Sequence, residues 1–78
     1  MKINKVTLVV HSGKPEAMRL AGKIEEHLGS LGTEITDEAS DLVVSVGGDG
    51  TMLRAAHAAH EADALLLGVN MGTLGYLT

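Results

Sequence analysis

Cysteine is absent from the 78 residues of this chain. Disulfides, thiolate metal sites and a nucleophilic thiol are therefore excluded. Tryptophan and phenylalanine are also missing, and Tyr76 is the single aromatic residue. That leaves no stacking platform for single-stranded nucleic acid. Positive charge is scarce, with six Lys and Arg against ten Asp and Glu for a net charge of −4. This balance argues against DNA, RNA and anionic membrane surfaces as partners. No segment approaches the ~20 apolar residues of a membrane helix. The apolar run Val6–Val10 after Lys2 and Lys5 has only five residues, against roughly 7–15 in the core of a signal peptide. We read no targeting signal and expect a cytoplasmic protein.

What is present is globular in kind: 45% hydrophobic and 21% charged residues lie outside the disordered range. The length falls below the roughly 100–150 residues of a typical domain, so any core is thin. Val6–Val10 (VTLVV) is β-branched and too short for a helix, which predicts a buried strand. His11–Lys14 follows as a polar turn, with His11 read as a loop residue rather than a catalytic base. Pro15, the only proline, suits the first turn of a helix, where its missing N–H is not needed. Ala17, Leu20, Ala21, Ile24, Leu28 and Leu31 recur at spacings of three and four. They predict an amphipathic helix with one buried stripe, stopped at Gly29 and Gly32. Thr33–Thr36 carries a weak edge-strand signal.

Leu42–Val46 (LVVSV) predicts a second buried strand and runs directly into Gly47-Gly48-Asp49-Gly50-Thr51. Met52 to Glu61 is alanine-rich and predicts a helix by propensity, with side chains small enough to lie close to a sheet. Ala64–Val69 predicts a third buried strand despite Gly68. A glycine-punctuated segment, Asn70 to Gly75, follows. Strands alternating with helices imply an α/β fold, a Rossmann-like parallel sheet with flanking helices. The chain stops at Thr78 just after a new element begins. We therefore expect the amino-terminal piece of a longer protein, or a truncated reading frame.

The chemistry concentrates in Gly47–Thr51. Three glycines in four residues permit positive φ and close backbone approach. Successive N–H groups at a helix amino terminus can form an anion nest. The spacing fits neither a Walker A loop nor G-x-G-x-x-G. The unusual element is Asp49, since a carboxylate repels bound phosphates. It either accepts a proton from an attacking hydroxyl, holds Mg²⁺ between phosphates, or simply caps the helix. Arg54, expected in the first helical turn, conflicts with the helix dipole. It either meets an anion or is a solvated surface arginine. His57 and His60 share a helical face, but H-x-x-H without further ligands is weak, and we assign no metal to them. Met18 and Met52 are read as packing residues.

GGDGT is similar to loops of diacylglycerol and sphingosine kinases and resembles the G-G-D-G-S of phosphofructokinases. The second motif separates these. Gly68-Val69-Asn70-Met71-Gly72-Thr73-Leu74-Gly75-Tyr76-Leu77-Thr78 resembles the G-[IV]-N-x-G-x-L-G-[FY]-L-[ST] segment of NAD kinases. Its spacing after GGDGT matches as well. The two motifs span Leu42–Thr78, and the chain is similar to the amino-terminal part of a bacterial-type NAD kinase.

The resemblance implies transfer of the terminal phosphoryl group of ATP, or of polyphosphate, to the 2′-hydroxyl of the adenosine ribose of NAD, giving NADP. It implies a divalent cation, usually Mg²⁺, and a homo-oligomer in the full-length parent. By position, Asp49 corresponds to the catalytic aspartate. Gly50 and Arg54 correspond to NAD-contacting positions, Gly47, Gly48 and Thr51 to the rest of the loop near the phosphates, and Tyr76 to an aromatic near the adenosine. The family also has a β-rich carboxy-terminal domain that completes the NAD site. We expect residues 1–78 to be the amino-terminal α/β domain, with that second domain outside this chain and the fragment inactive alone. The alternatives are a lipid kinase-like GGDG phosphotransferase and a non-catalytic nucleotide-binding remnant.

Overall fold

The structure, a computed structural model, describes residues 3–37 and 40–70. Four strands and two helices follow one another among these residues: β1 (Lys5–Val10), α1 (Pro15–Ser30), β2 (Glu34–Ile35), β3 (Leu42–Gly47), α2 (Asp49–Ala62) and β4 (Leu65–Asn70). The strands form one sheet in the order β2-β1-β3-β4. Every pairing is parallel. The expected fold class is the one observed, and the weak edge-strand signal becomes the two-residue β2.

Side chains alternate between the faces of a strand, and the two helices use opposite faces. On one, Val6, Val44 and Val46 close over Ala17 and Ala21 of α1, with Leu20, Ile24 and Leu28 packed around them. On the other, Val43 meets Ala55 and Ala59 of α2. Alanine at these contacts lets α2 lie close to the sheet, as the composition predicted. Pro15 stands at the start of α1, where no side chain caps the helix.

Three expectations need correction. The predicted stripe included Leu31, which is 67% exposed. The helix continues through Gly29 to Ser30, and the chain turns away at Gly32 with φ +85°, so Leu31 has left the helical face. The predicted buried strand Ala64–Val69 is β4 at the sheet edge, with Leu65, Leu66 and Leu67 40–54% exposed. Among the described residues nothing pairs with the outer side of β4, and a run of apolar residues does not show how many neighbours a strand has. The flexible end of the Met52 side chain lies over Gly68, in the space that a Cβ there would fill. Finally, α2 begins at Asp49 rather than Met52.

The amino-terminal end of the sheet is tied by Asp41. Its carboxylate accepts hydrogen bonds from the backbone N–H groups of Asn4 (2.9 Å) and Lys5 (3.1 Å). Its own N–H donates to the Lys5 carbonyl at 2.8 Å. The Asn4 bond, then the Lys5 bond, hold the Asp41 carboxyl below the usual carboxylate range. A carboxyl lowered in the folded state stabilises the fold above its unfolded pKa of about 3.9. That contribution is lost as pH falls through the lower, folded value. Thermal midpoints of the wild type and Asp41→Asn, measured from pH 6 to pH 2.5, are expected to differ by a constant amount above about pH 5. The difference should shrink below about pH 4. A gap independent of pH would show that Asp41 acts through its shape alone.

Candidate active site

Strand order decides where a site can form. From β1 the chain crosses to β2 on one side, and β3 is then added on the other side of β1. In open α/β sheets the crevice at the carboxyl ends of two such strands is the usual ligand site. Here the loops that flank it are His11–Lys14, leaving β1, and Gly47–Gly48, leaving β3.

Within the second loop the glycines have different reasons. A Cβ on Gly47 would lie 2.6 Å from Thr51 Oγ1 and 2.9 Å from His11 Cβ. Gly47 is thus required by the protein's own packing. Gly48 and Gly50 are not: among the described residues a Cβ on either meets nothing within 4 Å. Gly48 has an ordinary negative φ of −106° as the residue capping α2. Open space remains above the loop at Gly48 and Gly50, next to an α2 amino terminus whose unpaired N–H groups favour an anion.

Asp49 is the first residue of α2, one position past the cap. It is exposed, and its Oδ1 accepts a hydrogen bond of 3.3 Å from Asn70 Nδ2 at the end of β4. The helix-capping reading of Asp49 is overturned, because the capping position belongs to Gly48. Thr51 is 2% exposed, with its side chain folded beneath the loop against Gly47. Arg54 is exposed and lies in the second turn of α2, not the first. The dipole penalty acts within the first turn, so that argument for an anion partner falls away.

The structure thus joins the two sequence motifs: Asp49 of GGDGT meets Asn70 of the G-V-N segment, 21 residues on. Residues 71–78, including Tyr76, lie outside the described residues. Sequence reasoning missed two neighbours of the loop, His11 and the Asn70 side chain. A signal for Asn70 was its place in the second motif; His11 carried none, because only the strand order sets it beside Gly47.

Other features do not share this chemistry. His57 and His60 line a shallow depression of about 200 Å³ on α2, with Leu53 and Ala56. Among the described residues no three His, Asp or Glu side chains gather as metal ligands. A larger open groove of about 590 Å³ lies between α1 and β1–β2. Its ionisable lining groups are Glu25 and Asp37, both of the wrong sign for phosphate.

Comparison with known proteins gives one family. The model of the ATP-NAD kinase N-terminal domain matches residues 29–78. The chain is 39% identical to NAD kinase 1 of Streptomyces coelicolor over 97 aligned positions, covering all of this chain and 27% of that protein. It is 36% identical to the NAD kinase of Thermomicrobium roseum, over 90% of this chain and 26% of that protein. With the NAD kinase of Thermoplasma volcanium it shares 45% over a 51-residue stretch. The chain spans about a quarter of the length of the first two relatives.

Proposed function

Because the chain belongs to the NAD kinase family, matching its amino-terminal domain, we propose that the full-length protein phosphorylates NAD at the 2′-hydroxyl of its adenosine ribose, with ATP or polyphosphate as donor. The observation that carries this reading is the unfilled space at Gly48 and Gly50 on either side of an exposed Asp49 that Asn70 orients. A loop that had only to join β3 to α2 would have no use for that space.

The reaction with ATP balances as follows. The ribose 2′-oxygen attacks the terminal phosphorus, a new O–P bond forms, and the bond from that phosphorus to the bridging oxygen breaks to release ADP. The hydroxyl proton passes to the Asp49 carboxylate and then to solvent. A base so placed contributes typically ~10²–10⁴-fold, and in-line positioning supplies much of the rest. The Gly48–Gly50 backbone and the α2 amino terminus receive phosphate charge, Thr51 supports the loop from beneath, and Arg54 is assigned to NAD by its correspondence to the family motif alone. Mg²⁺, when bound, neutralises charge on the transferring phosphates. The donor set fits a cation carried largely by phosphates and water, with Asp49 the one carboxylate on this loop.

The remainder of the NAD site, including the contact assigned to Tyr76, is assigned to the adjoining segment and to a β-rich second domain. A cytoplasmic homo-oligomer belongs to the same reading. The lipid kinase-like and non-catalytic alternatives are not favoured by the relatives, all named NAD kinases. The test is to incubate the full-length protein with Mg²⁺-ATP and either NAD, diacylglycerol or sphingosine. NADP should form, and neither lipid should be phosphorylated. Lipid phosphorylation, or no transfer to NAD from ATP or polyphosphate, would overturn the assignment.

A further inference from the structure

We propose that His11 is a nucleotide-binding residue, whose Nε2–H donates a hydrogen bond to a phosphate oxygen across the β1–β3 crevice from Asp49. The inference rests on the reading above and adds to it a residue from a different loop.

Its position is built into the sheet. The His11 N–H donates to the Val46 carbonyl at 3.0 Å, extending the β1–β3 ladder by one residue. Its Cβ lies against Gly47, where an added Cβ would come within 2.9 Å. The ring is held as well. The Gly13 N–H donates to His11 Nδ1 at 3.0 Å. The Lys14 N–H closes the turn onto the His11 carbonyl at 3.2 Å. A Cβ on Gly13 would come 2.8 Å from Cε1 of the ring, so a glycine at that position is what lets the ring seat there.

The chemistry follows from the hydrogen bond. A ring nitrogen that accepts from a backbone amide carries no proton, which in this geometry puts the ring hydrogen on Nε2. Only a weak packing role would need no such orientation, and a general base would need Nε2 unprotonated. A fixed N–H at the carboxyl ends of the strands, with no acceptor among the described residues, suits an anionic oxygen. The phosphate chain of the donor and the pyrophosphate of NAD both offer one.

The test uses the full-length protein and separates the two nitrogens. His11→Asn keeps an oxygen near Nδ1 for the Gly13 N–H and removes the Nε2 donor. His11→Gln reaches further and restores an N–H near Nε2. KM for ATP or KM for NAD is expected to rise about tenfold in His11→Asn, the scale of one hydrogen bond to a charged group. Which KM rises identifies the phosphate source. The thermal midpoint should hold, and His11→Gln should recover most of the loss. In the wild type, ¹⁵N–¹H ring spectra should show the Nε2–H form, and inorganic tripolyphosphate should shift that proton. Unchanged KM values in His11→Asn, or a ring protonated on Nδ1, would overturn the proposal. Should His11→Asn fail to fold, the ring spectra and the tripolyphosphate shift decide alone. Absence of any NADP formation by the wild type would instead overturn the kinase reading, while those spectra still report on His11.

Discussion

Asp49→Asn in the full-length protein is expected to lower the turnover of NADP formation by about 10²–10⁴-fold while leaving the thermal midpoint nearly unchanged. The substitution is close to isosteric, and an asparagine oxygen can still accept the bond that Asn70 Nδ2 now gives to Asp49 Oδ1. What disappears is the capacity to take a proton from the 2′-hydroxyl. The capping position of α2 belongs to Gly48, so even Asp49→Ala removes no helix cap. Loss of rate can thus be read as loss of chemistry and not of fold. Steady-state kinetics with ATP and NAD, alongside a thermal melt, make the measurement. A variant that turns over at the wild-type rate would remove Asp49 from the mechanism.

Gly47→Ala is expected to have the largest effect on stability of any single methyl added to the loop. The new Cβ would meet Thr51 Oγ1 and also His11 Cβ and Thr51 Cβ, and a Cβ is fixed to its backbone and cannot swing aside. Overpacking of this kind costs roughly 1–3 kcal/mol, which should lower the thermal midpoint of the full-length protein. Gly50→Ala is the informative contrast. Gly50 lies in α2 with free space around its Cβ position, and alanine gains up to about 1 kcal/mol of helix propensity over glycine. Its midpoint should hold or rise while KM for nucleotide increases, because the methyl enters the space assigned to ligand. Equal midpoints for Gly47→Ala and the wild type would contradict the packing described for the loop. Unchanged nucleotide affinity in Gly50→Ala would mean that the open space serves no ligand.

Much of this architecture is legible in the order of residues. β-Branched runs, the three- and four-residue spacing of α1 and the alanines of α2 are local patterns. Local patterns report secondary structure and which face is apolar. They also located the loop, since an aspartate among glycines between a strand and a helix is unusual before any fold is known. The errors lie where non-local packing intervenes. The α2 start shifted to Asp49, which moved Arg54 out of the first turn and ended the capping reading. Leu65 to Leu67 read as buried and are exposed on the outer strand of the described sheet.

The sequence by itself determined the α/β alternation, the two apolar helix faces and the candidate chemistry at Asp49, because each depends on residues within one or two turns of chain. Only the tertiary structure decided that β3 joins the sheet on the side of β1 opposite β2. That choice places the His11–Lys14 loop beside Gly47 and separates the glycine needed for packing from the two that leave room, while the β3–β4 pairing brings Asn70 to Asp49. Strand order and register are set by which distant apolar faces bury one another, and no short window of sequence contains both partners.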